Sequence, residues 1–380
     1  MGNPMFSGFA WLKPLRIFEA NHRGLLPSNR QSSFHFCCLT MTLPRLFNCR
    51  FIDYAGTVAL WLCLLHCVIA EGPKPPGKLV DLGGHRLHVR CTGRGAPTVV
   101  VENGLRDFSF DWVLVEARVK RFTRICTYDR AGYAWSDSGP KPRTFAQLNL
   151  ELHDALAKLG EHGPFVLVGH SFGGPVVRNF ALTYPLDTAG MVLVDSAYEG
   201  QRVGVGGKRT IRLGEGVKGL AIPLPHEAMQ DSEQPRAQTV GPPSAKFPLD
   251  PLYSALPQAE QQMQLWAQSL PQTEDAEDSQ RQWSEEYFAK MLASPQTGNM
   301  GAKPLIVLTR AAGGYSEDLD VPAAQLEKER LVGQANLALL SSNSRQVIVH
   351  SGHNMELQSP DEVAEAIRSV VEAVRRHSKL

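Results

Sequence analysis

Six short apolar runs constrain this chain most: Thr98 to Val101, Arg124 to Tyr128, Phe165 to Val168, Met191 to Val194, Leu305 to Leu308 and Gln346 to Val349. They do not alternate apolar with polar residues as a strand with one wet face would, so they suit parallel strands buried on both faces. Between them, Phe145 to Leu159 and Pro360 to Val374 carry apolar residues at helical spacing. Strand and helix alternate, and the expected class is α/β with a mostly parallel sheet flanked by helices. Ahead of these runs, Leu79 to Leu82 and Arg86 to Cys91 read as two strands joined at Gly83-Gly84, a two-residue hairpin turn.

One stretch breaks the alternation. From about residue 197 to 300 prolines accumulate, from Pro223 and Pro225 through Pro242, Pro243, Pro248, Pro251 and Pro257, and then come the helix-like Gln258 to Leu270 and Gln282 to Leu292. A segment of that length inside a compact domain needs structure of its own, so we expect a cap or lid inserted between two strands. Trp266, Trp283, Tyr287 and Met291 could face either the body or a ligand, and packing is the simpler role for aromatic residues at helical spacing. The expected main domain is thus 78–380 with a cap insertion at about 197–300.

Composition excludes several classes. Hydrophobic residues at 43% and charged residues at 20% are ordinary globular usage. A net charge of +1, with basic clusters in the body no larger than short groups such as Lys208, Arg209 and Arg212, offers no footprint for nucleic acid. Five of seven cysteines fall in the first 70 residues, leaving Cys91 and Cys126 in strand-like runs. Two buried thiols are the simpler reading there, and one bridge between neighbouring strands the sharper one. No CxxC or HExxH occurs, and no metal or cofactor is expected.

The N-terminal part divides into an extension, 1–53, and an apolar run, 54–70, of 17 residues from Tyr54 to Ala70. The run reaches only the lower limit for spanning about 30 Å of hydrocarbon, and Arg45 and Arg50 precede it. It reads as an uncleaved signal anchor, as a signal peptide effectively starting at Met41 with Val68 and Ala70 at its cleavage site, or as a buried helix. The first two readings imply a membrane-anchored or secretory protein.

The chemistry centres on Gly169-His170-Ser171-Phe172-Gly173, a G-x-S-x-G pentapeptide. It follows the buried run Phe165 to Val168 and precedes Gly174-Pro175-Val176-Val177, which opens a helix with Pro in its first turn. Ser171 thus sits on a strand-to-helix turn that only small residues two before and two after it tolerate, here Gly169 and Gly173. A serine hydroxyl needs a neighbouring base to act as a nucleophile at neutral pH. His353 fits, because it follows the strand Gln346 to Val349 across a short glycine-containing loop, at the same edge of the sheet as the elbow. The other histidines, His85, His88, His153 and His162, lack such a setting. The carboxylate that orients the base is expected at Asp195, which ends the strand Met191 to Val194, with Asp318 or Asp320 as alternatives.

From about Leu79 to the C-terminus the chain resembles the α/β-hydrolase family. Val99-Val100-Val101-Glu102-Asn103-Gly104-Leu105 resembles its strand and oxyanion-loop block, and Tyr128-Asp129-Arg130-Ala131-Gly132-Tyr133-Ala134-Trp135-Ser136 its strand-end segment. The elbow and Ser351-Gly352-His353-Asn354-Met355-Glu356 complete the order. The resemblance implies the α/β-hydrolase fold, with backbone N–H groups of Leu105 and Phe172 as oxyanion donors. Family members place the acid after either of two strands, and after the later one, Leu305 to Leu308, stands Thr309-Arg310-Ala311 with no immediate carboxylate. Asn103 departs from the usual His, which leaves backbone donors intact.

These residues lead us to expect a serine esterase or lipase-like enzyme working through an acyl-enzyme on a small-molecule ester or lipid, with possible membrane association through 54–70. The same triad could serve an acyltransferase or an aminopeptidase, and the fold could be kept by a non-catalytic ligand-binding homologue.

Overall fold

The computed structural model describes residues 72–205, 208–215, 249–294, 297–311 and 313–380. The extension 1–53, the apolar run 54–70 and part of the expected cap, 216–248, lie outside the described residues.

Eight strands form one sheet in the order β1-β2-β4-β3-β5-β6-β9-β10. The ranges are β1 Lys78–Asp81, β2 Arg86–Thr92, β3 Val99–Glu102, β4 Ile125–Tyr128, β5 Phe165–His170, β6 Thr188–Val194, β9 Leu305–Arg310 and β10 Ser344–Val349. Along this sheet the neighbours from β4 through β3, β5, β6 and β9 to β10 pair in parallel, whereas β2 pairs antiparallel with both β1 and β4 at one edge. The hairpin turn is the one expected: Leu82 N–H donates to His85 O across Gly83-Gly84, and Gly83 takes φ +90. Every residue of β3, β4, β5 and β9 is buried, as non-alternating runs require.

Cys91 and Cys126 are register partners on β2 and β4 and form a disulfide. The bridge, not the simpler reading of two thiols, is what the structure contains. Direct opposition across an antiparallel pair brings the two Cα atoms to 4.0 Å.

Helices cover both faces. On one side α2 (Phe145–Lys158) and α3 (Gly173–Thr183) pack Leu152, Leu156, Val177 and Phe180 against Val100, Leu167 and Leu193. On the other, α1 (Val113–Val119) and α7 (Pro360–Arg376) pack Val115, Ile367 and Val371 against Val101, Val168, Val192 and Ile306. Local signals set the ends of these helices. Thr144 accepts from Gln147 N at the start of α2, and α7 begins with Pro360 and Asp361 and ends in Arg375 and Arg376, in keeping with the helix dipole.

Between β6 and β9 the described residues form a hairpin, β7 (Arg202–Val205) and β8 (Arg209–Arg212), a 3₁₀ turn at Pro251–Ala255, and helices α4 (Gln258–Gln268) and α5 (Pro271–Ala293). α5 starts eleven residues before the expected Gln282, with Pro271 in its first turn. A further helix, α6 (Ala323–Ala338), joins β9 to β10. Among the described residues no helix is long and apolar enough to cross a membrane.

Candidate active site

Ser171 follows β5 and precedes α3, and its φ of +50 puts a non-glycine residue in the left-handed region. Such a conformation costs on the order of 1–3 kcal/mol and persists only where its surroundings enforce it. Here Ser171 N–H donates to Val194 O at 3.1 Å, and Ser171 O accepts from Ala197 N at 2.9 Å. The flanking glycines are sterically required. A Cβ on Gly169 would lie 2.6 Å from Val177 Cγ2, and one on Gly173 would lie 2.2 Å from Glu102 O. The first turn of α3 therefore sits directly against the end of β3.

His353 comes after β10, and its Nδ1 lies 2.7 Å from Asp195 Oδ2. Asp195 follows β6 and is also left-handed, with φ +37, held by its N–H donating to Leu308 O. With Nδ1–H donating to the carboxylate, Nε2 of a neutral ring is the nitrogen that carries the lone pair. Asp318 and Asp320 are exposed on the loop after β9, where Asp318 N–H meets Ser316 Oγ and Asp320 N–H meets Lys208 O. The structure thus brings Asp195, not Asp318 or Asp320, to the imidazole.

Two arginines that sequence reasoning missed complete the carboxylate's surroundings. Arg310 Nη1 donates to Asp195 Oδ2 at 2.6 Å, the same oxygen that meets His353, and Arg330 Nη1 stands 3.5 Å from Oδ1. Burial would raise the Asp195 pKa, but His353, Arg310 and Arg330 hold it well below the usual carboxylate range. Arg310 ends β9, in the Thr309-Arg310-Ala311 stretch that appeared in the sequence only as a missing acid.

For His353 itself, burial lowers the pKa, the cations His170 and Arg310 lower it further, and Asp195 pulls the other way. The net direction is downward, so the ring is a neutral base at neutral pH. His170 lies behind it, with ring centroids 4.8 Å apart. Its Nδ1 is 2.8 Å from Asp107 Oδ2 and its Nε2 is 3.1 Å from His353 O. Both partners are acceptors, so both ring nitrogens carry protons. Burial opposes that charge, yet Glu356 and Asp107 outweigh it and push the pKa up to about 10. Asp107, His170 and Glu356 each offer a ligand atom within 4.8 Å of the others. With both ring nitrogens already facing acceptors, the cluster fits a buried imidazolium between carboxylates better than a metal ion. Buried His88 and half-buried His85 also face acids, Asp129 and Glu151 respectively.

The two expected oxyanion donors come from adjacent segments. Phe172 caps the N-terminus of α3, and Leu105 follows the β3 loop. Neither amide donates to a described backbone carbonyl in the turns and loops. Their side chains share one apolar cluster with Phe145, Val176 and, from α5, Tyr287 and Phe288, with Met291 at its margin. Trp266 packs elsewhere, with Phe108, Phe110 and Tyr133. Asn103 turns its Nδ2 to Tyr128 O at 2.6 Å, tying the β3 loop to the end of β4.

Comparison with known proteins agrees with this architecture. The model of the alpha/beta hydrolase family matches residues 98–366. The chain is 34% identical over 129 residues to "Probable transporter efuK" of Hormonema carpetanum, covering 32% of this chain and 18% of that one. It is 33% identical over 121 residues to the uncharacterized protein YqjL of Bacillus subtilis, covering 32% and 48%. The chain thus spans less than half the length of either relative. Among solved structures it resembles a meta-cleavage product hydrolase, CumD, from Pseudomonas fluorescens IP01, with TM-score 0.51 at 17% identity over 80% of this chain and 98% of that one. At that identity the likeness concerns the fold.

Proposed function

The chain belongs to the alpha/beta hydrolase family, and from that premise we propose that it is a serine hydrolase cleaving a carboxylic ester through an acyl-enzyme. The observation that carries this reading is the pairing of His353 Nδ1 with Asp195 Oδ2 at 2.7 Å, at the sheet edge that also holds the left-handed Ser171. His353 Nε2 would take the Ser171 proton as Oγ attacks the ester carbonyl, and would pass it to the leaving alcohol. Asp195 keeps the tautomer and stabilises the transient imidazolium. The backbone N–H groups of Leu105 and Phe172 would receive the oxyanion, helped by the N-terminus of α3. Water, activated by the same imidazole, would then release the acid. The apolar cluster of Phe172, Leu105, Tyr287 and Phe288 supports an apolar acyl group as substrate.

The test is hydrolysis of p-nitrophenyl esters of increasing acyl length by the full chain and its variants. Asp195→Asn should lower turnover by roughly 10⁴-fold, while Asp318→Asn should stay within about twofold of wild type. If folded wild-type protein turns over no ester, ester specificity fails, and transfer to an alcohol acceptor or cleavage of a carbon–carbon bond becomes the reading to pursue. We further propose that the body works in an oxidising compartment, secreted or membrane-held. The Cys91–Cys126 disulfide supports this, and non-reducing mass analysis of the protein from its native source checks it.

A further inference from the structure

Arg130 follows β4 and is 1% exposed, yet its guanidinium has no single counterpart. Nη1 donates to Glu102 Oε1 at 2.8 Å and to Asn103 O at 2.7 Å, and Nη2 donates to Gly104 O at 2.7 Å. Nε donates to Gln280 Oε1 at 3.0 Å, on helix α5 of the insertion. The flat face lies over the ring of Tyr133, 4.7 Å from its centroid, and over that of Phe172, 5.4 Å away. Four of the five N–H donors are used, and two of them hold successive backbone carbonyls just before Leu105.

That placement has a stereochemical consequence. In a trans peptide the C=O and the N–H of one unit point in opposite directions. Holding Gly104 O toward the guanidinium therefore turns Leu105 N–H away from it. A flipped unit would put a carbonyl where the oxyanion donor belongs and would aim an N–H at a buried cation. Glycine is the residue for which such a flip costs least, and Gly104 cannot be larger, since a Cβ there would lie 2.2 Å from Asp107 Oδ2. The loop thus needs an external restraint. Asp107 N–H reaches Gly104 O only at 3.3 Å, so the charged contact from Arg130 is the stronger of the two.

We propose that Arg130 is the positioning residue of the oxyanion hole, clamping the Gly104-Leu105 peptide in the orientation that presents Leu105 N–H, and that Gln280 ties this clamp to the inserted segment. The proposal rests on the serine-hydrolase reading above. A buried guanidinium that only filled space would be replaceable by apolar volume at little cost, whereas this one spends its donors on the loop that carries the reaction.

The experiment uses Arg130→Lys, Arg130→Met and Gln280→Ala in the full chain, with active sites counted by titration with a fluorophosphonate. Turnover per titrated site, KM, and the affinity of an alkyl trifluoromethyl ketone, whose hemiketal places an oxyanion in the hole, are then compared with the affinity of the matching methyl ketone. Arg130→Met should lose about 10²-fold in kcat per site with KM within about twofold. Trifluoromethyl ketone affinity should fall in parallel while methyl ketone affinity holds. Arg130→Lys should fall between Arg130→Met and wild type, and Gln280→Ala should show a smaller loss of the same kind. If Arg130→Met fails to fold, Arg130→Lys and Gln280→Ala decide. A drop only in the titrated fraction, with kcat per site and ketone affinity at wild-type values, overturns the proposal. Wild type that does not react with the fluorophosphonate instead sinks the serine-hydrolase reading itself.

Discussion

The sheet and the insertion between β6 and β9 bury their residues by different means. Strands β3, β5 and β9 are apolar along nearly their whole length, and α7 meets them with Val363, Ile367, Val370 and Val371. Helix α5 instead buries Thr273, Glu277, Ser279, Gln280 and Ser284 beside Ala276, Trp283, Tyr287 and Phe288. Its attachments to the body are addressed one by one: Arg143 N–H donates to Ser279 Oγ, Thr273 Oγ1 donates to Gly132 O, and Arg130 Nε donates to Gln280 Oε1, while Gln264 Nε2 on α4 donates to Asp111 at 2.7 Å. Burial in the sheet is non-directional and large, so it specifies a stable platform. Polar attachments contribute less each but fix one seating of the inserted helices on the body.

The difference can be broken or sharpened by mutation. Ile306→Ala in β9 should be the most damaging to stability, costing about 2–5 kcal/mol in chemical denaturation, because a strand buried along its whole length cannot collapse around the void. Gln264→Ala should cost about 1–3 kcal/mol by leaving Asp111 buried without that donor, and should loosen the insertion before the sheet. Hydrogen exchange separates the two cases: protection should fall first in α4 and α5, and a uniform loss through β5 and β6 would refute addressed attachment. The smallest effect concerns pH. The base must be neutral to act, and His353 lies below the usual histidine value, so kcat/KM should rise with pH along a limb centred below 6.5. Arg310→Gln removes one of the cations that hold it down, so that limb should move to higher pH. A limb that stays in place or moves down would show that Arg310 does not act through the imidazole.

The same contrast explains what could be read in the sequence. The strands, the hairpin at Gly83-Gly84, α2, α7 and the order of Ser171, Asp195 and His353 along the chain all follow from apolar runs, turn residues and the elbow. The first half of α5 did not, because Thr273, Glu277 and Gln280 occupy inward positions and erase the apolar period. α6 hides in the same way, burying Arg330, Gly333 and Gln334. β7 and β8 carry Arg202, Arg209 and Arg212 in only four residues each, too short and too charged to show a strand pattern. At the site, Arg310 and Arg330 were invisible because a side chain reaching a carboxylate across 115 or 135 residues of sequence leaves no local mark. A signal existed for Arg310, since it stands where a second acid position is empty. Arg130 lay within the Tyr128 to Ser136 block, but its two carbonyl contacts can be found only in three dimensions.

The central claim is that Ser171 is the nucleophile and His353 its activating base. The most direct measurement is peptide mass analysis of the full chain after reaction with a fluorophosphonate, for wild type, Ser171→Ala and His353→Ala, each checked for folding by circular dichroism. The account predicts a single adduct on the peptide containing Ser171 in wild type, none in Ser171→Ala, and labelling slowed by orders of magnitude in His353→Ala. Folded wild-type protein that remains unmodified, or that carries the adduct on another residue, would contradict it.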